Sequence, residues 1–116
     1  MNRKWLFIIT SDPRQSGRTA EAIRIAAGVS AWKQVQVALY FHQTAALAVA
    51  DAVDDLEDAE LIERYLPMII EHGGKIYVSP DPAARAERSV PSKQHVEITA
   101  KELALLAAQH DFVARF

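Results

Sequence analysis

Apolar and polar positions fall along this chain in blocks whose lengths and periods predict alternating strands and helices. The first block, Trp5-Leu-Phe-Ile-Ile9, is short, continuous and rich in aromatic and β-branched side chains. That is the pattern of a strand covered on both faces, as in a parallel sheet. Thr10 to Ser16 then brings Pro13 and turn-forming polar residues, which end the strand. From about Gly17 to Ser30, Ala20, Ile23, Ala26 and Ala27 mark the inward face of a helix, with Ser16 as its expected cap and Gly28 near its fraying end. Val35 to Phe41 is the second strand, first alternating and then continuously apolar, and His42-Gln43-Thr44 closes it. Thr44 is expected to cap a short alanine-rich helix from Ala45 to Val53.

A second helix follows over roughly Ala59 to His72, with Leu61, Ile62, Tyr65, Leu66, Ile69 and Ile70 on one broad face. Pro67 conflicts with a straight helix, because it removes a donor and crowds the preceding turn. Gly73-Gly74 supplies the stop. Lys75 to Val78 is the third strand, ended by Ser79-Pro-Asp-Pro82. Ala83 to Arg88 reads as a short helix, Val90 to Gln94 as loop, and His95 to Ile98 as a brief fourth strand. Thr99 and Glu102 have capping-box spacing ahead of a helix from Ala100 to Gln109, and Asp111 to Phe116 makes a last strand. Repeated strand–helix alternation with right-handed crossovers gives a three-layer α/β sandwich around a mainly parallel sheet of about five strands.

Composition narrows the function more than the fold. The 116 residues are expected to form a single domain, 1–116, with half of them in the hydrophobic class. The chain has no cysteine, which excludes thiol nucleophiles, thiolate metal ligands, disulfides and persulfide carriers from within it. The charged start Met-Asn-Arg-Lys is followed by an apolar run too short for a secretory signal, and no stretch approaches the roughly 20 apolar residues of a membrane span. A cytoplasmic protein with no membrane association is expected. A net charge of −2 with both signs interspersed lacks the basic surplus of a nucleic-acid binder.

Candidate chemistry concentrates where strands one to three end. Thr10, Ser11, Arg14, Ser16, Gly17, Arg18 and Thr19 form a strand-to-helix loop, with His42 and Ser79 nearby in this topology. Helix N–H groups with Arg14 or Arg18 could hold a small anion there. Gln15 to Thr19 faintly resembles a flavodoxin phosphate loop, which makes a small-molecule, phosphate, flavin or nucleotide binding module, or an enzyme, using the Thr10 to Thr19 loop the alternative reading. The loop is short of the glycines of a Walker or dinucleotide motif, and later loops offer no obvious aromatic pair to clamp an isoalloxazine. A plain hydrophilic connection accounts for the same residues.

Other constellations are weaker. Ser79 with His42 or His95 as base and Asp81 as orienter lacks the spacing of a nucleophile elbow. His42, His72, His95 and His110 show no paired-ligand spacing, and His72 and His110 suit helix C-termini. The run Asp51, Asp54, Asp55, Glu57, Asp58 and Glu60 lacks the ligand alternation and glycine of an EF-hand, and reads as a solvated connection near a helix N-terminus. Arg85, Arg88 and Lys93 make the loop after strand three locally basic. No catalytic residue, metal site or cofactor is assigned, and the chain is not expected to be an enzyme.

Ile8-Ile-Thr-Ser-Asp-Pro13 leading into an alanine-rich helix, and Val37-Ala-Leu-Tyr-Phe-His42 followed by small residues, carry a family resemblance. So do Glu71-His-Gly-Gly-Lys-Ile-Tyr-Val-Ser79, Ala84-Arg85, and Glu102 to Val113. In order and spacing, over nearly the whole length, the chain resembles the DsrE/DsrF-like family, which includes sulfur-relay subunits related to TusB, TusC and TusD. The resemblance implies a small flavodoxin-like α/β fold and assembly into homotrimers or hexamers, or heteromers with related subunits. It also implies a cysteine just after the third strand in the sulfur-transfer members. Here that segment reads Val78-Ser79-Pro80, and a hydroxyl cannot form a persulfide. The implied role is a non-catalytic oligomeric or accessory subunit.

Overall fold

β1 (Arg3–Ile9) and β2 (Val35–Phe41) pair in parallel along their whole length, from Arg3 opposite Val35 to Ile9 opposite Phe41. The computed structural model describes residues 3–32, 34–49, 56–80 and 95–116. β3 (Lys75–Val78) adds to β2, β4 (Val96–Glu97) adds to β3, and β5 (Phe112–Arg115) pairs with the other edge of β1. The result is a five-stranded sheet of order β4-β3-β2-β1-β5 in which every pairing is parallel.

Alternate residues of β1 and β2 enter different cores. Phe7, Ile9, Val37, Leu39 and Phe41 join the larger one with α1 (Arg18–Ser30), a 3₁₀ segment (Gln43–Val49) and α2 (Ala59–Glu71). Leu6, Ile8, Ala38 and Tyr40 face α3 (Ala100–Ala108), where Leu103, Leu106 and Ala107 pack on them. Both faces are therefore apolar, which explains why these strands read as continuous runs. The chain steps one way from β1 to β4 and then returns across the sheet to β5. With right-handed crossovers, that reversal puts α3 on the opposite face from α1 and α2.

Several local expectations shift by a residue or change type. Gly17, not Ser16, occupies the N-cap of α1, and Ser16 Oγ accepts the Arg18 N–H at 3.1 Å from one position further back. Gly28 lies inside α1 rather than at its end. The alanine-rich segment winds as a 3₁₀ helix that already includes Gln43 and Thr44, and its expected continuation to Val53 lies outside the described residues. α2 runs through Pro67. Glu63, whose carbonyl loses its partner to the proline, is exposed, as is Pro67 itself, so water can satisfy the freed acceptor. Thr99 makes the expected capping box with Glu102. The short helix and loop expected over 83–94 lie outside the described residues.

Two glycines give opposite expectations. A Cβ at Gly28, exposed in α1, would meet nothing within 4 Å, so Gly28→Ala should stabilise by about 0.5–1 kcal/mol through helix propensity. At Gly74 a Cβ would collide with Ile69 Cγ2 and lie 2.8 Å from the Ile69 carbonyl oxygen, which itself accepts the Gly74 N–H. Gly74→Ala should destabilise by about 1–3 kcal/mol. Urea denaturation of both variants checks the contrast.

Candidate functional site

Parallel strands all deliver their carboxyl ends to one edge, so the ends of β1, β2 and β3 converge without further design. Backbone bonds lock this edge: His42 N–H to Ile9 O at 2.9 Å, Ser79 N–H to Phe41 O at 3.1 Å and Thr10 N–H to Phe116 O at 2.8 Å. The predicted residues are found there in two groups.

The first group is the loop after β1. Thr19, fully buried, donates its hydroxyl to Ser11 O at 2.8 Å. Thr10 Oγ1 donates to Phe116 O at 3.1 Å. Arg14 folds back on Asp12, with Nε and Nη2 donating to the two carboxylate oxygens at 3.1 and 3.0 Å. That guanidinium holds the Asp12 carboxyl below its ordinary value of 3.8. Arg18 is exposed on the first turn of α1. Asp58 stands over the same turn: a methyl group placed on Gly17 would lie 2.7 Å from Asp58 Oδ2. Glu57 N–H donates to Pro13 O at 2.7 Å, tying the two segments together. Asp58 adopts a left-handed conformation, φ 55°, which costs an ordinary side chain roughly 1–2 kcal/mol. A carboxylate from within the chain thus sits against the amino end of α1, where a negative charge is favoured.

The second group lies between β2 and β3. Ser79 is buried, and its Oγ accepts the Gln43 N–H at 2.7 Å, with Gln43 held at φ 52°. The Tyr40 hydroxyl lies 3.3 Å from His42 Nδ1. Burial raises the Tyr40 phenol above its ordinary value of 10.0, with the Ser79 bond opposing the rise.

Sequence reasoning missed Tyr40, Gln43 and Asp58. Tyr40 was visible as the one hydroxyl-bearing residue in the apolar part of β2. Asp58 was lost in an acidic run, and only tertiary contact shows that it meets Gly17. Among the described residues, no group of three or more His, Asp or Glu side chains could hold a metal ion. No helix there is long and apolar enough to cross a membrane. The possible partner Asp81 and the basic residues Arg85, Arg88 and Lys93 lie outside the described residues.

A sequence profile described as the DsrE/DsrF-like family matches residues 3–112. The chain belongs to this family. The crystal structure of the YchN protein from E. coli superposes with a TM-score of 0.74, covering 98% of this chain and 99% of that one at 18% sequence identity. That likeness shows the shared fold, the flavodoxin-like parallel α/β architecture already expected. No curated protein matches the sequence. This DsrE/DsrF-like chain carries Ser79 directly after β3, and it has no cysteine anywhere.

Ser79→Ala would leave the Gln43 N–H without its acceptor. The expected cost is about 1–3 kcal/mol, with faster amide exchange localised to Gln43. Tyr40 supplies a pH signature. Its folded pKa is raised, so the unfolded chain ionises first and binds fewer protons in alkali. Its contribution is fully present below the ordinary value of 10.0 and is lost as pH rises through the higher folded value. Tyr40→Phe should flatten the alkaline fall in stability, measured by denaturation across that range.

Proposed function

We propose that this chain is a non-catalytic, oligomeric or accessory member of the DsrE/DsrF-like family, related to sulfur-relay proteins but without sulfur-carrying chemistry of its own. The observation that carries this reading is Ser79. It stands where the family resemblance implies a reactive thiol in sulfur-transfer members, it is buried, and its oxygen takes the Gln43 N–H. The position serves to join β3 to the turn after β2. In the Thr10 to Thr19 loop, Thr10, Arg14 and Thr19 donate to partners within the chain, and the Asp58 carboxylate stands beside Gly17. The loop is thereby closed on itself, and a bound phosphate, nucleotide or flavin would have to displace Asp58.

Association with further copies or with related subunits is supported by exposed apolar side chains on α3 and β5. α3 has no fully buried residue; Leu105 is 60% exposed on it, and Val113 of β5 is also exposed. An apolar surface of this kind is a usual mark of a protein contact. A homotrimer or hexamer, or a heteromer with related subunits, would cover it, and a cytoplasmic setting fits the same reading.

Light scattering coupled to size-exclusion chromatography is expected to give a defined oligomer at micromolar concentration. Leu105→Lys should shift it to a smaller species while leaving the melting of the isolated fold nearly unchanged, because Leu105 contributes little to the internal core. A strict monomer in the unaltered protein would sink the homo-oligomer form, and failure to bind co-expressed family subunits would sink the accessory form. FMN, nucleotides and sulfur oxyanions are expected to produce no thermal shift; a saturable shift abolished by Gly17→Asp would support the loop as a ligand site instead.

A further inference from the structure

The two edges of the sheet are not alike. β4 ends one side with only two residues, a length that gives another chain little to pair with. β5 ends the other with four, Phe112-Val-Ala-Arg115. Its register with β1 is unbroken, so it has no bulge, and it contains neither proline nor lysine. The usual devices that blunt an edge are therefore missing from it.

The backbone of β5 fixes which groups face outward. Phe116 turns both its groups toward β1: its N–H donates to Ile8 O and its carbonyl accepts the Thr10 N–H, each at 2.8 Å. These groups alternate along a strand. Phe112 and Ala114 thus bond β1, while Val113 and Arg115 turn their N–H and C=O groups to the free edge. An antiparallel strand meeting this edge with Val113 opposite Val113 of a second copy would exchange both N–H···O bonds at that pair.

That register is self-complementary in side chains. It sets Asp111 opposite Arg115, Phe112 opposite Ala114 and Val113 opposite itself, and the two-fold axis repeats each pair. Asp111 and Arg115 are both exposed, and among the described residues neither makes an ion pair within the chain. The Asp111 carboxylate accepts the Lys4 N–H at 2.7 Å, and a neutral amide leaves its charge uncompensated. Phe112, with its ring 4.7 Å from Trp5, is still 47% exposed, and Val113 is 38% exposed. The large ring falls across from the smallest side chain of the strand. We infer that β5 pairs antiparallel with β5 of a second copy about a two-fold axis at Val113, joining two sheets into one. This rests on the oligomeric reading above and names one contact within it. Such a contact belongs to a dimer or to a hexamer with two-fold axes, not to a simple ring of three.

The test uses the full chain in sedimentation equilibrium, with amide exchange as a local probe. Arg115→Asp puts like charges at both outer pairs and should weaken association by about tenfold or more while amide dispersion stays native. Asp111→Arg should act the same way. An equimolar mixture of the two variants has opposite charges at both pairs and should reassociate, as should the double variant Asp111→Arg/Arg115→Asp. In the unaltered protein, protection of the Val113 amide should rise with protein concentration, a reading that needs no variant. Association unchanged by Arg115→Asp, no recovery in the mixture, or a Val113 amide indifferent to concentration would overturn the edge contact and leave the oligomeric reading standing. A strict monomer in the unaltered protein would remove both. Assembly seen only with a co-expressed family subunit would overturn self-pairing at this edge.

Discussion

Parallel pairing of β1 with β2 demands two things at once: a crossover long enough to bring the chain back, and apolar cover on both faces of the ladder. The sequence meets the first with α1 and the second with alternating residues that feed two cores. This ladder has two remaining edges, and β3 takes the one beside β2 while β5 takes the one beside β1. The positions of Thr10, His42 and Ser79 follow as consequences of register. So does the gathering of three helix C-termini at the other pole.

At the carboxyl edge, Thr19, Arg14 and Ser79 are residue types that hold ligands well, and here each has a partner in the same chain. The left-handed backbone at Gln43 and Asp58 is the cost of bringing those partners into reach.

Strand and helix order was legible because β1, β2 and α2 obey strong periodicities, and Thr99 with Glu102 makes its cap within a single turn. Pro67 is tolerated inside α2 because Glu63, whose carbonyl it orphans, is exposed to solvent. Ser16 misled by one position, since a cap depends on where helical dihedrals begin and not on which hydroxyl is available. Site residues were legible as a set of strand ends, while their partners were not. That Asp58, among so many acids, meets Gly17, or that Ser79 accepts from Gln43, depends on contacts across 41 or 36 residues of sequence, and no local pattern records them.

β5 is the last strand to be synthesised, yet it pairs with the first, and Lys4 and Asp111 are linked across 107 positions. During translation β1 must therefore hold one unpaired edge while nearly all of the chain emerges. The face destined for α3 stays uncovered over the same interval. Such distant pairing slows folding and leaves a sticky edge available to neighbouring chains. The passage from ribosome to finished sheet is where this fold is most vulnerable to aggregation, and where a chaperone would have the most to protect.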